Sequence, residues 1–416
     1  MVDDDGRSLV DPLSYAQNGY PHALWTRLRN ESPVQKFEPA GWPAFWAVTK
    51  HADIRDVSKQ PDVFLNEPGM TIVDLESLRR QEAGNAPQMK TIINMDPPEH
   101  RKFRAVASPF FTPRALERLD AVVDATARKV VDALGDEGEC DFVTEVASIY
   151  PLKIIARILG VPEEDEPFIL RLTNELFGSA DPEFQRSENH EEHIRTLFMD
   201  FYKYFTRVIE SRRASPTDDL ASMIANARVD GAPMGEIETL GYYLITFTAG
   251  HETTRGAIGG GLEALVRNPT ARARWAREPK LTRLAIDEIM RWVTPVNTMM
   301  RTAASDCTLN GQRIRKGDRL VLFYASANRD EDVFEAPLEL RLDRHPNPHL
   351  AFGIGEHFCL GAHLARKTSG RLFQELVSRL DSVELTAPPQ HVASNLVPGF
   401  KHMPIRYRMR KSAAAA

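Results

Sequence analysis

From Met234 to Asn268 the chain keeps a helical pattern without a break, and Pro269, which cannot continue a helix, closes it. Ile237, Leu240, Tyr243, Leu244 and Phe247 make its first half apolar around much of its circumference. A helix of that kind has no polar face to offer water, so it must lie inside a shell of other elements. Candidates for that shell flank it. Residues 113–134 place Leu116, Leu119, Val123, Ala127, Val130 and Leu134 on one face, and 142–159 and 194–209 repeat the three-and-four spacing. A further helix is expected over 361–380. Strand-like text stays near the two ends. Phe45-Trp46-Ala47-Val48-Thr49 alternates early; late in the chain Asn310-Gly311 and Lys316-Gly317-Asp318 read as hairpin turns, the second leading into 319–324. The expected class is mainly α with a minor β part. With no repeat and no Gly/Ser linker, residues 1–416 are expected to form a single domain.

Hydrophobic residues make up 42% and charged residues 26%, proportions of a soluble globular chain rather than a disordered or membrane one. A net charge of −6 argues against general nucleic-acid binding. The three cysteines, Cys140, Cys307 and Cys359, are odd in number and far apart, so neither a disulfide framework nor a CxxC knuckle can be drawn. The start, Met1-Val2-Asp3-Asp4-Asp5, is acidic with no apolar run behind it, and no stretch of ~20 apolar residues occurs. A reduced, cytoplasmic location is expected, and the tail Ser412 to Ala416 is expected to fray.

Chemistry concentrates in Phe352-Gly353-Ile354-Gly355-Glu356-His357-Phe358-Cys359-Leu360-Gly361. Its glycines let the backbone pass close to one sulfur and turn N–H groups toward it, and the following helix start favours a thiolate. Phe352 can cover the site. A lone cysteine beside a glycine turn is more often a structural, buried one. A thiolate so presented also suits an iron whose other positions belong to a porphyrin. Two other segments carry charges or hydroxyls where a helix interior usually has none. Ala249-Gly250-His251-Glu252-Thr253-Thr254 lies mid-helix, where Gly and hydroxyls that bond back predict a local distortion. The run His251-Glu252-Thr253-Thr254-Arg255 is not the zinc motif HExxH, because Arg255 stands at the second histidine. Glu288 and Arg291 share a helical face, as do His100 and Arg104 behind the prolines Pro97-Pro98. His190-Glu191-Glu192-His193 reads as a solvated face.

The ten-residue cysteine turn matches every fixed position of FGxGxHxCxG, and so resembles the haem-binding signature of the cytochrome P-450 family. The resemblance runs from about Trp46 to Tyr407, and it implies a haem b held between the long helix and the cysteine-loop helix. It makes Cys359 the iron ligand, with Phe352 and Gly361 beside it. It makes Ala249 and Gly250 the oxygen-side wall, Thr253 the donor to bound dioxygen, and Glu252 a proton relay where many relatives carry Asp. Propionate partners would be His100, Arg104, Arg301 and His357, with His349 a weaker fifth. Glu288, Arg291 and Arg344 would lock the region around the haem loop. Pocket walls would come from 70–73, Leu244, Phe247, Thr248, Val296, Thr298, Met299, Leu396 and Val397. The implied reaction is monooxygenation of an apolar compound with O₂ and two electrons from a ferredoxin, itself fed by an NAD(P)H-dependent reductase. That donor would dock on Arg101, Lys102, Arg104, Arg114, Arg366 and Lys367. Within the family, 139–142, 160–167 and 382–385 resemble the alpha-terpineol monooxygenase type, which points to a monoterpenoid or alkyl-aromatic substrate; steroid-type hydroxylases share the framework. A peroxide-driven hydroxylase and a haem-based sensor are the more distant readings.

Overall fold

The computed structural model describes residues 5–83, 90–187 and 189–410. The acidic start Met1 to Asp4 and the tail Ser412 to Ala416 therefore lie outside the described residues.

The long helix runs Glu236–Arg267, 32 residues, and ends two residues before Pro269. Leu240, Tyr243, Leu244 and Phe247 are buried in its first half, and Ile258, Leu262 and Leu265 in its second. Ile237 departs from the expectation: it is 58% exposed, because the first turn projects beyond the helices that cover the rest. Those helices include Ile149–Ile158, Glu166–Phe177, His190–Ala214, Thr282–Val293 and Ala362–Arg379, the last being the cysteine helix. Each fully buried Leu, Ile or Phe in this layer stabilises by about 1.5–3 kcal/mol. Packing reaches backbone level at Gly261, where a Cβ would stand 2.6 Å from the Phe373 ring and 2.8 Å from Ile289.

Two expected helices are subdivided. Residues 113–134 open with a tight turn at Ala115–Leu119 before the α-helix Asp120–Asp132. Residues 142–159 begin with a wide turn at Val143–Ala147, closed by Ser148 N donating to Val143 O (2.8 Å). Pro151, which has no N–H to give the preceding turn, follows it in the first turn of Ile149–Ile158.

The strand Phe45–Val48 lies inside a five-stranded sheet, antiparallel to Val34–Phe37 and parallel to Arg319–Phe323. All four of its residues are buried rather than alternating, because both faces are covered. Thr298–Ala303 and then Phe64–Leu65 complete the sheet. Asn310-Gly311 does form a hairpin turn, with φ of 47° and 75°, between Cys307–Leu309 and Gln312–Ile314. Lys316-Gly317-Asp318 does not. It steers the chain past that hairpin so that Arg319–Phe323 pairs with Thr298–Ala303. A further sheet, Leu380–Leu385, Pro404–Met409 and Glu137–Asp141, had no counterpart among the expectations.

Candidate functional site: a cysteine turn and a buried cationic cluster

The cysteine turn is pinned by its own backbone. Cys359 N donates to Phe352 O (2.8 Å), and Gly361 is the N-cap of the cysteine helix. Gly355 has φ +79° and a Cβ there would lie 2.3 Å from Ser58 O, so only glycine allows this approach to the N-terminal part. Cys359 itself is half-buried. Burial pushes its thiol up, while the Gly361 N–H, Arg104 and Arg366 pull the other way, favouring the thiolate. The Arg366 guanidinium sits 4.3 Å from the centre of the Phe352 ring.

Four residues expected to act together converge beside this turn. His100, on the helix Glu99–Ala107, is fully buried, and its ring lies 4.0 Å from that of His357. Arg104, one turn further, donates from Nη2 to Phe358 O (2.5 Å). Arg301 is buried on Thr298–Ala303, with Nη1 on Met300 O (2.8 Å). Burial, and then the fields of His100, Arg301 and Arg104, push His357 down to about 3. Burial and Arg104 lower His100 as well. Both imidazoles are neutral at pH 7 and each carries an N–H. Yet His100 Nδ1 and Nε2 and His357 Nε2 are buried without a hydrogen-bond partner among the described residues. Orphaned donors beside two arginines are a receptor for carboxylates. The donor set therefore fits the two propionates of a haem, and nothing within 4 Å of a Cβ at Gly361 obstructs the sulfur side. His349 instead meets Asp287 Oδ1 (3.4 Å).

On the long helix, Thr253 Oγ1 donates to Ala249 O (2.7 Å) and Thr254 Oγ1 to Gly250 O (3.0 Å). The expected distortion is absent: the helix is unbroken, because both hydroxyls bond back four residues without displacing the ladder. Gly250 answers instead to packing, since a Cβ there would lie 2.9 Å from Ile155 Cδ1. Glu252 is fully buried and pairs with Arg255, whose Nη1 donates to Asn174 Oδ1 (2.9 Å).

Glu288 is the hub of a second buried group. Arg291 holds it with two parallel bonds (2.8 and 2.8 Å) and Arg344 Nε adds a third (3.0 Å). Arg341 N (2.8 Å) and Asn347 Nδ2 (3.2 Å) complete it; neither was foreseen, since neither has a local signal.

The pocket candidates fall into two groups. Leu244, Phe247 and Thr248 line a tight apolar crevice with residues of Glu166–Phe177 and His190–Ala214, among them Leu172, Phe201 and Phe205. Amphipathic spacing marked 194–209 as a helix but not as a wall. Val296, Thr298, Met299, Leu396 and Val397 do not line that crevice. Asn297 N bonds Leu396 O (2.8 Å), Thr298 Oγ1 bonds Asn395 O (3.2 Å), and Met300 N bonds Met70 O (2.6 Å), so these segments and 70–73 meet one another. Val397 and Thr298 are buried there.

Two surface readings change. His193 is buried, with its Nδ1 accepting from Arg186 N (3.3 Å), so 190–193 is not a solvated face throughout. The basic patch is largely neutralised: Arg101 pairs with Glu356, Lys102 with Asp230, Arg366 with Asp287 and Lys367 with Asp120.

The family model described as Cytochrome P450 matches residues 73–397. The chain belongs to the cytochrome P450 family. It is 39% identical to Cytochrome P450-terp of a Pseudomonas species over 96% of each chain. It is 35% identical to the steroid C26-monooxygenase of Mycolicibacterium smegmatis over 91% of this chain and 89% of that one. The crystal structure of CYP108D1 from Novosphingobium aromaticivorans superposes with a TM-score of 0.89 at 38% identity, covering 99% of this chain and 100% of that one. The protein is a cytochrome P450 monooxygenase of the bacterial kind, and its cofactor is haem b. No helix among the described residues is long and apolar enough to cross a membrane.

Proposed function

We propose that this cytochrome P450, acting over residues 1–416 as one cytoplasmic catalytic unit, hydroxylates a small apolar substrate, a monoterpenoid or alkyl-aromatic hydrocarbon. The observation that carries the reading is the crevice. Its two hydroxyls are spent on helix carbonyls, Thr248 Oγ1 on Leu244 O (2.7 Å) and Thr173 Oγ1 on Ile169 O (3.1 Å). What faces inward is hydrocarbon, and Phe198, Phe201, Phe205 and Phe247 keep it narrow. Such a wall selects by shape. The likeness to Cytochrome P450-terp supports the terpenoid choice.

In this reading Cys359 holds the iron, and His100, Arg104, Arg301 and His357 hold the propionates. Bound haem supplies O–O cleavage and the transfer of one oxygen atom into a C–H bond, with two electrons and two protons reducing the other to water. With haem bound, Thr253 Oγ1 would turn from the Ala249 carbonyl to donate a hydrogen bond on the oxygen side, and Glu252 would help relay protons there. The Glu288, Arg291 and Arg344 group keeps the loop before the cysteine in place. A ferredoxin brings the electrons on the cysteine side; with most of that patch already paired, its docking draws on few free cations.

Spectral titration of the purified protein with α-terpineol, p-cymene and a C27 sterol tests the substrate class through the low- to high-spin shift, followed by product analysis with ferredoxin and its reductase. Tighter, coupled turnover of the sterol would instead favour the second reading, a steroid-type hydroxylase, to which the 35% identity points. Cys359→Ser is expected to abolish the red-shifted Soret band of the reduced carbonyl complex. Thr253→Ala is expected to keep the substrate shift and divert electrons to hydrogen peroxide; unchanged coupling would remove its role.

A further inference from the structure

Buried nitrogens without a partner gather a second time, away from the cysteine turn. The helix His22–Glu31 packs Trp25 against Phe323, with ring centres 5.8 Å apart. Tyr20 and His22 close over it: the Tyr20 ring stands 5.7 Å from both His22 and Trp25, and His22 stands 5.4 Å from Trp25. Arg329 enters the same group from far along the chain. Its Nη2 donates to Trp292 O (2.8 Å) and its guanidinium lies 4.9 Å from the Trp292 ring, while the Tyr20 hydroxyl donates to Thr294 O (3.1 Å) two residues on. Arg329 is also the charge that bears most on the Tyr20 hydroxyl and on the His22 ring, so these side chains share one space. Within it His22 Nδ1, Trp25 Nε1 and Arg329 Nη1 are all buried without a hydrogen-bond partner among the described residues.

Arg329 is 5% exposed and, among the described residues, pairs with no carboxylate. The carboxylates near it in the chain are engaged elsewhere: Glu331 with Arg29 (3.0 Å), and Asp330 with the N–H groups of His51 (2.9 Å) and Asp332 (3.1 Å). Burial, and then the charge of Arg291, pull Arg329 down to about 9, which leaves it a cation at pH 7. Burial, then Arg329 and Arg29, push His22 down to about 2, so its ring is neutral there and has one N–H to give. A buried cation without a counter-ion is among the costliest groups a fold can keep. What answers it must accept from three N–H donors at once. A water accepts two hydrogen bonds and brings no charge; an anion meets both demands. The rings are already in contact with one another, so a polyatomic ion would have to part them. We propose that Tyr20, His22, Trp25 and Arg329 form a binding site for a chloride ion, held by Arg329 Nη1, Trp25 Nε1 and His22 Nδ1. Tyr20 and His22, both partly exposed, are its entrance, and the fully buried Trp25 is its floor. The ion fastens the N-terminal helix His22–Glu31 to the end of Thr282–Val293, the helix that carries Glu288 and Arg291.

The haem-loaded enzyme is melted in sodium gluconate, an anion too large for the site, with chloride or bromide replacing gluconate stepwise at constant ionic strength. Tm is expected to stay flat at low halide and then climb with the logarithm of its concentration, as binding to the folded state alone requires. Crystals grown in bromide should show an anomalous peak within hydrogen-bond reach of Arg329 Nη1 and Trp25 Nε1. Arg329→Gln removes the charge and should abolish the halide response. Trp25→Phe keeps the ring and removes one donor, and should raise the halide concentration at which Tm begins to climb by about tenfold. That second variant keeps the test readable if Arg329→Gln folds poorly. Identical melting in gluconate, chloride and bromide overturns the proposal, as does a water without anomalous signal at the site. A halide response kept at full size in Arg329→Gln, or unchanged in Trp25→Phe, places the ion elsewhere and overturns it too.

Discussion

Replacing Glu288 by Gln asks how much of the fold depends on one carboxylate. Its two oxygens receive Arg291 Nε and Nη2, Arg344 Nε, Arg341 N and Asn347 Nδ2, and Glu288 and Arg291 are fully buried. The arginines extend the cage: Arg291 serves the carbonyls of Asn328, Pro337 and Glu339, and Arg344 those of Glu335, Ala336 and Glu339. A glutamine keeps the shape and one acceptor but leaves two guanidiniums buried against a neutral amide. Breaking a buried pair from one side costs about 3–5 kcal/mol. Of a domain's usual 5–15 kcal/mol that is a large share, and about 4 kcal/mol is roughly a thousandfold in the unfolded fraction. Arg344→Met removes a cation instead, leaving Glu288 still held by Arg291, Arg341 N and Asn347; the cost there is the stranded carbonyls of Glu335 and Ala336, about 1–3 kcal/mol. Urea unfolding reports the order. Trp292 lies against Arg329 (4.9 Å) and Arg291 (5.9 Å), so its fluorescence senses the network directly, and the haem-to-protein absorbance ratio gives the consequence for cofactor retention. A Glu288→Gln cost below about 1 kcal/mol, or one smaller than that of Arg344→Met, refutes the reasoning.

Gly355→Ala and Gly353→Ala differ by one clash. Both positions have positive φ, which costs a side chain about 1–2 kcal/mol, but at Gly355 the Cβ meets Ser58 O at 2.3 Å whereas at Gly353 the nearest atom is 3.8 Å away. The first is expected to lose clearly more stability and haem in the same assays. His402 sits between Asp141 (2.5 Å) and Glu183 (2.7 Å). Burial works against its charge, but those hydrogen bonds prevail and raise it above the ordinary imidazole value. A raised histidine contributes stability fully below the unfolded value of about 6.5 and loses it as pH rises through the folded one. The Tm gap between the parent and His402→Asn should therefore be widest near pH 6 and close toward pH 9; a gap that widens with pH contradicts this. Phe201→Val is expected to shift binding from monoterpenoids toward bulkier substrates by tenfold or more, read as the ratio of spin-shift dissociation constants.

What the sequence made legible was local. Pro269 ends the long helix where a stop signal predicts, the cysteine helix begins where the glycine turn releases the chain, and Asn310-Gly311 turns a hairpin by its own backbone preference. The sheet around Pro404–Met409 was illegible because Glu137-Gly138-Glu139-Cys140-Asp141 has little strand propensity. It pairs there because distant residues make it, with Arg406 bonded to both Glu139 (2.7 Å) and Glu384 (2.8 Å). The charge of the basic patch was misjudged for the same reason: its carboxylate partners lie far along the chain.

The two Glu-x-x-Arg pairs show where that boundary falls within the site. Glu252-Thr253-Thr254-Arg255 and Glu288-Ile289-Met290-Arg291 have the same spacing, the same helical geometry and nearly the same burial. By helix rules they are equivalent, worth a few tenths of a kcal/mol each on a surface. What separates them comes from outside their helices. Arg344, Asn347 and the Arg341 N–H saturate Glu288, which makes it rigid, and any exchange of its proton would break several bonds at once. Among the described residues only Asn174 reaches the other pair, and it does so through Arg255, leaving Glu252 Oε2 unclaimed. The number of bonds brought from elsewhere in the chain thus separates the two glutamates, in keeping with the scaffold role proposed for Glu288 and the relay role proposed for Glu252.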